Sequence, residues 1–387
     1  ALAIQGHHIG LQRASFDALR QIDPQMLGKH HPLRLVLSEP DLALLEQRAE
    51  SDGLQFRSPS QTMLAAQNGM AHPIAAMLDV RMLFSCLTDA DFLDTEAHFE
   101  GDVQGKRYRP RGCKLDVEQA LAALDAYMRT VRARTSAQAE VREAREDLWR
   151  AVCHGAQLSR GVFTLTAPTG SGKTLAMLKF ALEHAKQHSL KRIVVAVPFL
   201  TVIEQTAHIY RQVLADSPKS FVMEHHSLAG FGNETARQDA EEETDRQRRL
   251  LAENWDAPIV LTTNVQLLES LFSNRPSNCR KLHNLMDSVI LFDEAQSVPQ
   301  HLAVPTLAAL SHLSSAYRST VVFATATQPA FDTLDARVKQ HAVSGWHPRE
   351  LVPDHPRLFR TLKRVNVQWP ENGKKLAWTE LVDELRA

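Results

Sequence analysis

Two short stretches of this chain combine residue types and spacing that could move a phosphoryl group. The first is Ala-Pro-Thr-Gly-Ser-Gly-Lys-Thr, Ala167 to Thr174. Its glycines let the backbone curl so that N–H groups from about Gly170 to Thr174 face one concavity, and the positive end of a helix starting there adds to the field. A polyphosphate suits that concavity. Thr169, Gly170, Ser171, Gly172, Lys173 and Thr174 are therefore candidate ATP-binding residues, with Lys173 reaching the β- and γ-phosphates and the Thr174 hydroxyl ligating Mg²⁺. Ala167 stands where the common pattern has glycine, but the flanking strand and helix supply the context that the mechanism needs. The second stretch is Asp293-Glu294, at the end of the apolar run Val289 to Phe292. Asp293 would hold the Mg²⁺, commonly through water, and Glu294 would orient or deprotonate an attacking water.

The elements that must position these residues can be read from periodicity. Val162, Phe163 and Leu165 form a short apolar strand before the loop, and Leu175 to Lys186 has the apolar spacing of a helix after it. Further strands are expected at Ile193 to Val197, Phe221 to Met223, Ile259 to Leu261, Val289 to Phe292 and Thr320 to Phe323, with helical patterns between them. Near-continuous apolar strands alternating with helices imply a parallel sheet covered on both faces, whose ligands bind at the carboxyl ends of the strands. Each polar motif follows such an end: Gln205 after Val197, Glu224-His225-His226-Ser227, Thr262-Thr263-Asn264, Asp293-Glu294-Ala295-Gln296 and Thr325-Ala326-Thr327.

The first hundred or so residues read as helical. They carry two features with metal-binding chemistry: the pair His7-His8, and the acids Asp89, Asp91 and Asp94 within the apolar pattern Ile74 to Phe92. Imidazoles and a carboxylate suit Mn, Fe, Co or Ni, and acids on an otherwise apolar helix need a partner. The bland alternative for the histidine pair is a surface accident. A Gly-, Arg- and Pro-rich stretch near 101–116 leads to an amphipathic helix, and a charged helix from Ala137 to Leu158 enters the loop motif. With 387 residues the chain exceeds one ordinary core, so about two domains are expected. A formal net charge of -1 gives no global basic field, which leaves any nucleic-acid binding to a local patch. Four cysteines without a Cys-x-x-Cys pair, no leader pattern and no membrane-length apolar run lead to the expectation of a cytoplasmic protein with no membrane association.

Taken together, Ala-Pro-Thr-Gly-Ser-Gly-Lys-Thr, Val-Pro-Phe-Leu-Thr-Val-Ile-Glu-Gln-Thr, Leu-Thr-Thr-Asn-Val-Gln-Leu-Leu-Glu-Ser, Asp-Glu-Ala-Gln and Thr-Ala-Thr resemble motifs I, Ia, Ib/Ic, II and III of superfamily 2 helicases. Arg280-Lys281-Leu282-His283-Asn284, Glu253 to Pro258, Gly6-His7-His8 and the Ser85 to Asp91 segment are further similar to the CRISPR-associated helicase-nuclease of type I systems, most of all its type I-C branch. That resemblance implies an α/β chain: a RecA-like P-loop domain preceded by a partial all-α HD-type domain. The divisions expected are 1–105 for the nuclease part, 106–150 for a linker and leading helix, 151–345 for the first RecA-like lobe and 346–387 for a linker towards a second. It implies ATP and Mg²⁺ as cofactors, single-stranded DNA as substrate, and a CRISPR RNA-guided surveillance complex as partner.

By position, the resemblance makes His7, His8 and Asp91, or Asp89 in its place, ligands of a nuclease metal. Gln296, Thr325 and Thr327 would couple hydrolysis to domain movement, and Gln205, Thr262, Thr263 and Asn264 would lie along the DNA. For these last four, ordinary capping and turn chemistry is the alternative. The family's earlier histidines and its His-Asp pair would precede His7, and a second lobe with the arginine that completes the ATP site would follow Ala387, so the chain is expected to be a piece of a longer protein. Two other readings stay open: an ATP- and DNA-binding module without turnover, and a superfamily 2 helicase with an unrelated helical N-terminus.

Overall fold

The computed structural model describes residues 72–101, 105–226 and 250–363, the helix Leu42–Ser51 (α1), and the isolated positions 10, 11, 53, 378, 379 and 382. Seven parallel strands form one sheet in the order β3-β4-β2-β5-β6-β1-β7. They are β1 Val162–Thr166, β2 Arg192–Val197, β3 Val222–His225, β4 Ile259–Thr263, β5 Ser288–Asp293, β6 Thr320–Thr325 and β7 Arg349–Glu350. β5 and β6 are buried at every residue, as expected of strands sandwiched between helical layers.

The period-two alternation of the strands sorts their side chains into two cores. Phe163, Leu165, Ile193, Val195, Val289, Leu291 and Val322 face one layer, made by α3 (Val117–Arg134), α4 (Ala139–Ala156), α5 (Lys173–His188) and α6 (Leu200–Val213). Val162, Val194, Ala196, Val260, Ile290, Phe292, Val321 and Phe323 face the other, with α7 (Asn264–Phe272), α9 (Ala303–Ala316) and α10 (Asp335–Lys339); the short α8 (Pro276–Cys279) lies beside α7. A one-residue register slip would exchange the two sets, so burial on both faces fixes the pairing.

Two boundaries differ from the sequence expectation. The long helix α2 (Pro73–Phe99), placed with a separate N-terminal domain, puts Leu78 and Met82 into the second core of the sheet. Its polar residues find partners there too. Asp79 accepts from His312 and from the Tyr317 hydroxyl, each at 2.7 Å. Arg81 donates to the Phe272 carbonyl at 2.6 Å and to that of Ser273, closing the carboxyl end of α7. The Ser85 hydroxyl accepts from the His283 amide at 3.0 Å. The other boundary is at the far end, where Arg349-Glu350, expected in a linker, pair with β1 as its outer neighbour. Leu351, Val352, Leu358 and Leu362 of the following turn and α11 (His355–Thr361) then enter the first core. No helix among the described residues is long and apolar enough to cross a membrane.

Candidate active site

β1 delivers the chain into the glycine-rich loop at the carboxyl edge of the sheet. The Ala167 amide donates to the Thr325 carbonyl of β6 at 3.1 Å, and the Ala167 side chain is fully buried in the first core. Gly170 (φ 81°) and Gly172 (φ 92°) are both left-handed. Nothing lies within 4 Å of a side chain added at Gly172, so its backbone conformation, not lack of space, calls for glycine there. Gly172 caps α5 without a side-chain bond, which leaves first-turn amides for an anionic ligand. Inside the loop the Ser171 hydroxyl is buried with no hydrogen-bond partner among the described residues. Arg145 of α4 donates to the Gly170 carbonyl at 3.0 Å and so ties the preceding helix to the loop. The motif pattern gave no signal for Arg145, because the contact joins a helix to a loop carbonyl 25 residues further along the chain.

The acids reach the same place from two strands away. β5 ends at Asp293, and Glu294 turns into the left-handed region (φ 55°) while its amide donates to Asp293 Oδ1 at 3.1 Å. This turn aims both carboxylates at Lys173, whose Nζ is 3.0 Å from Asp293 Oδ1 and 2.7 Å from Glu294 Oε1. Burial works against charge on Lys173, but Asp293 and Glu294 outweigh it and raise its pKa above the ordinary lysine value. Burial likewise opposes charge on Glu294, and the bonds from Lys173 and Gln296 overcome it to hold its carboxyl below the usual range. Gln296 Nε2 donates to Glu294 Oε2 at 2.8 Å, and the Thr325 hydroxyl donates to Gln296 Oε1 at 2.5 Å. The Thr327 amide in turn donates to Thr325 Oγ1 at 3.1 Å. A hydrogen-bonded chain thus runs from Lys173 through Glu294 and Gln296 to the turn after β6.

This arrangement has the parts for nucleotide chemistry. One cation is shared by two carboxylates, so a phosphate chain in the loop would offer Lys173 a new partner and would leave Asp293 available to a metal. Oxygen donors such as Asp293 and the half-buried Thr174 hydroxyl are what Mg²⁺ uses, so the residues fit that ion.

The residues expected along DNA divide. Gln205 is exposed on α6. Thr262 is fully buried, and its hydroxyl donates to the His225 carbonyl at 2.9 Å, tying β4 to β3. Thr263 caps α7 by accepting from the Gln266 amide at 3.1 Å. Asn264 is buried and donates to Ser297 Oγ at 2.5 Å, linking α7 to the turn after Glu294. For Thr262, Thr263 and Asn264 the structure therefore shows strand, cap and turn bonds.

His7 and His8 lie outside the described residues. Asp89 is buried and engaged by Arg280 Nε at 2.8 Å and Asn254 Nδ2 at 3.0 Å. Asp89, expected as the alternative to Asp91 for a metal, is here paired with a guanidinium that would have to be displaced for it to serve as a ligand. Asp91, two positions on and so on a different face of α2, is half-buried. Among the described residues no group of three or more His, Cys, Asp or Glu is placed to hold a metal ion.

Comparison with known proteins agrees with this geometry. Residues 145–335 match the model of the DEAD/DEAH box helicase family. The CRISPR-associated nuclease/helicase Cas3 of Haloferax volcanii is 33% identical over 216 residues, which cover 50% of this chain and 23% of that protein. The crystal structures of T. fusca Cas3-AMPPNP and of T. fusca Cas3 each share the fold over 88% of this chain and 37% of theirs, with TM-scores of 0.53 and 0.51 at 16% and 18% identity. The chain thus spans well under two thirds of the relatives it matches. The glycine-rich loop and the paired acids at the end of β5 both lie in the matched stretch, so residues 145–335 form a DEAD/DEAH box helicase domain, and the chain is similar over 216 residues to the CRISPR-associated nuclease/helicase Cas3 of Haloferax volcanii.

Proposed function

We propose that this lobe binds ATP with Mg²⁺ and hydrolyses it to drive movement along single-stranded DNA, as part of CRISPR interference. The observation that carries this reading is the Lys173 bridge to Asp293 and Glu294, continued through Gln296 to Thr325. It joins the residues that would sense the γ-phosphate to the turn that would face a second lobe, so loss of the phosphate can be relayed outward. Thr169 to Thr174 would cradle the phosphates, Asp293 and Thr174 would hold Mg²⁺, and Glu294 would prepare the water. Lys173→Ala is expected to weaken MgATP by about tenfold or more, about 1.4 kcal/mol per decade, in isothermal titration. Equal affinities for variant and wild type would end the assignment.

The resemblance also supports a nuclease centre in which His7, His8 and Asp91 help to hold Mn, Fe, Co or Ni, with a CRISPR RNA-guided surveillance complex delivering the single strand. Of the two acids weighed, Asp91 is favoured, since Asp89 is taken by Arg280. In a chain extended upstream to supply the earlier histidines, cleavage of single-stranded DNA with added Mn²⁺ or Ni²⁺ should appear and should be lost in His7→Ala and Asp91→Ala. Cleavage surviving both substitutions would leave the N-terminal helices a structural role alone.

A further inference from the structure

The edge strand β7 is two residues long, yet its side chains hold both ends of β1. At the entrance, Arg349 donates to the Ser159 hydroxyl at 3.1 Å, to the Ser159 carbonyl and to the Arg160 carbonyl at 3.3 Å, and its guanidinium lies 4.3 Å from the centre of the Phe163 ring. A side chain on Gly161 would come within 2.7 Å of that guanidinium, so the glycine makes room for it. At the exit, the backbone of β7 has run out. Thr166, the last residue of β1, would have no strand beside its amide on this side, and an unpaired strand amide seeks another acceptor.

The Glu350 carboxylate takes that place. It accepts from the Thr166 amide at 3.1 Å, the Thr166 hydroxyl at 2.6 Å, the Thr164 hydroxyl at 2.9 Å and the Val352 amide at 2.9 Å. All four partners are donors, and among the described residues none is a cation. Oε1 takes both amides and Oε2 both hydroxyls, so truncating the side chain would strand the Thr166 and Val352 amides without this acceptor. The next residue, Ala167, is bonded to β6 and opens the phosphate loop. The first residue of the loop therefore follows a strand end clamped between the backbone of β6 and one side chain of β7.

We infer that Glu350 is a positioning residue for nucleotide binding: by fixing the end of β1 it sets where the amides of Gly170 to Thr174 meet the phosphates. This rests on the nucleotide site proposed above. The physical basis is that phosphate contacts made by fixed backbone amides tolerate little displacement, and a shift of about 1 Å can cost up to about 10² in function. Because Glu350 lies in the segment that follows the Thr325–Thr327 turn, it also ties the path of that segment to the loop.

The test is the affinity of the full 387-residue chain for MgATP and MgADP, by isothermal titration, beside its urea unfolding midpoint. Glu350→Ala is expected to weaken both nucleotides about tenfold while the protein stays folded at the assay temperature. A residue that served stability alone would shift the midpoint and leave the affinities of the folded protein unchanged. Should Glu350→Ala not fold, Thr166→Val decides, since it removes one donor and leaves the carboxylate three; about a threefold loss of affinity is expected. Wild-type affinity in the folded variant overturns the inference. Failure of the wild type to bind MgATP overturns it together with the nucleotide site on which it rests.

Discussion

Glu294→Gln is expected to lower ATP turnover by about 10² to 10⁴, the range of a positioned general base, while MgATP binding is kept. The carboxylate sits at the end of β5 with one oxygen on Lys173 and the other on Gln296. An amide in its place can still meet Gln296 through its oxygen, but it can neither take a proton from water nor carry the negative charge that holds Lys173. Weakening the Lys173 pair leaves the lysine freer for the phosphates, so affinity should be unchanged or tighter. Turnover is best followed under single-turnover conditions with excess protein and single-stranded DNA, alongside a MgATP titration of the same sample. Hydrolysis near the wild-type rate would remove Glu294 from the chemistry. A parallel loss of binding would show that it shapes the loop instead.

The largest stability effect is expected at Asp89. Its side chain is 7% exposed and that of Arg280 4%, with 2.8 Å between them, so removal of either partner leaves an uncompensated buried charge. Such losses cost about 3–5 kcal/mol. For Asp89→Ala the lower end, about 3, is expected, because Arg280 keeps Glu253 at 3.0 Å and the Phe92 ring at 4.7 Å. Urea unfolding measures it. Replacing both partners, Asp89→Leu with Arg280→Met, should recover most of the loss, since two apolar side chains of similar reach leave no stranded charge. A loss under about 1 kcal/mol for Asp89→Ala would mean that the pair is open to water and screened as surface pairs are. The same experiment bears on the nuclease reading. Asp89→Ala should lower stability with no metal added, as a helix-to-lobe ion pair would and a metal ligand would not.

These two residues show what could be read from the chain in advance. Glu294 was legible because its role is local. An apolar strand that ends in adjacent acids, and a loop that must contain glycine at positive φ, are patterns written in neighbouring residues, and the order of apolar runs then dictates a parallel sheet that gathers their carboxyl ends. The side on which Lys173 meets Asp293 and Glu294 follows from that topology, as do Gln296 and Thr325. Asp89 was not legible. Acids on an apolar helix announce that a partner exists, but metal and guanidinium answer that need equally well in the sequence, and Arg280 lies far along the chain. Thr262, Thr263 and Asn264 fell between the two cases, their residue types serving caps and strand bonds as readily as a nucleic-acid path.

The doubly covered parallel sheet, the glycine-rich loop and the acids that face it are written in adjacent residues, because periodicity, backbone conformation and short-range charge are local properties. That α2 packs on the sheet, that Asp89 pairs with Arg280 and that Glu350 completes the end of β1 emerges in three dimensions alone. Each of those depends on which distant side chain fills a buried polar group's remaining bonds. Desolvation makes that choice decisive in the fold, and nothing in a neighbouring residue encodes it.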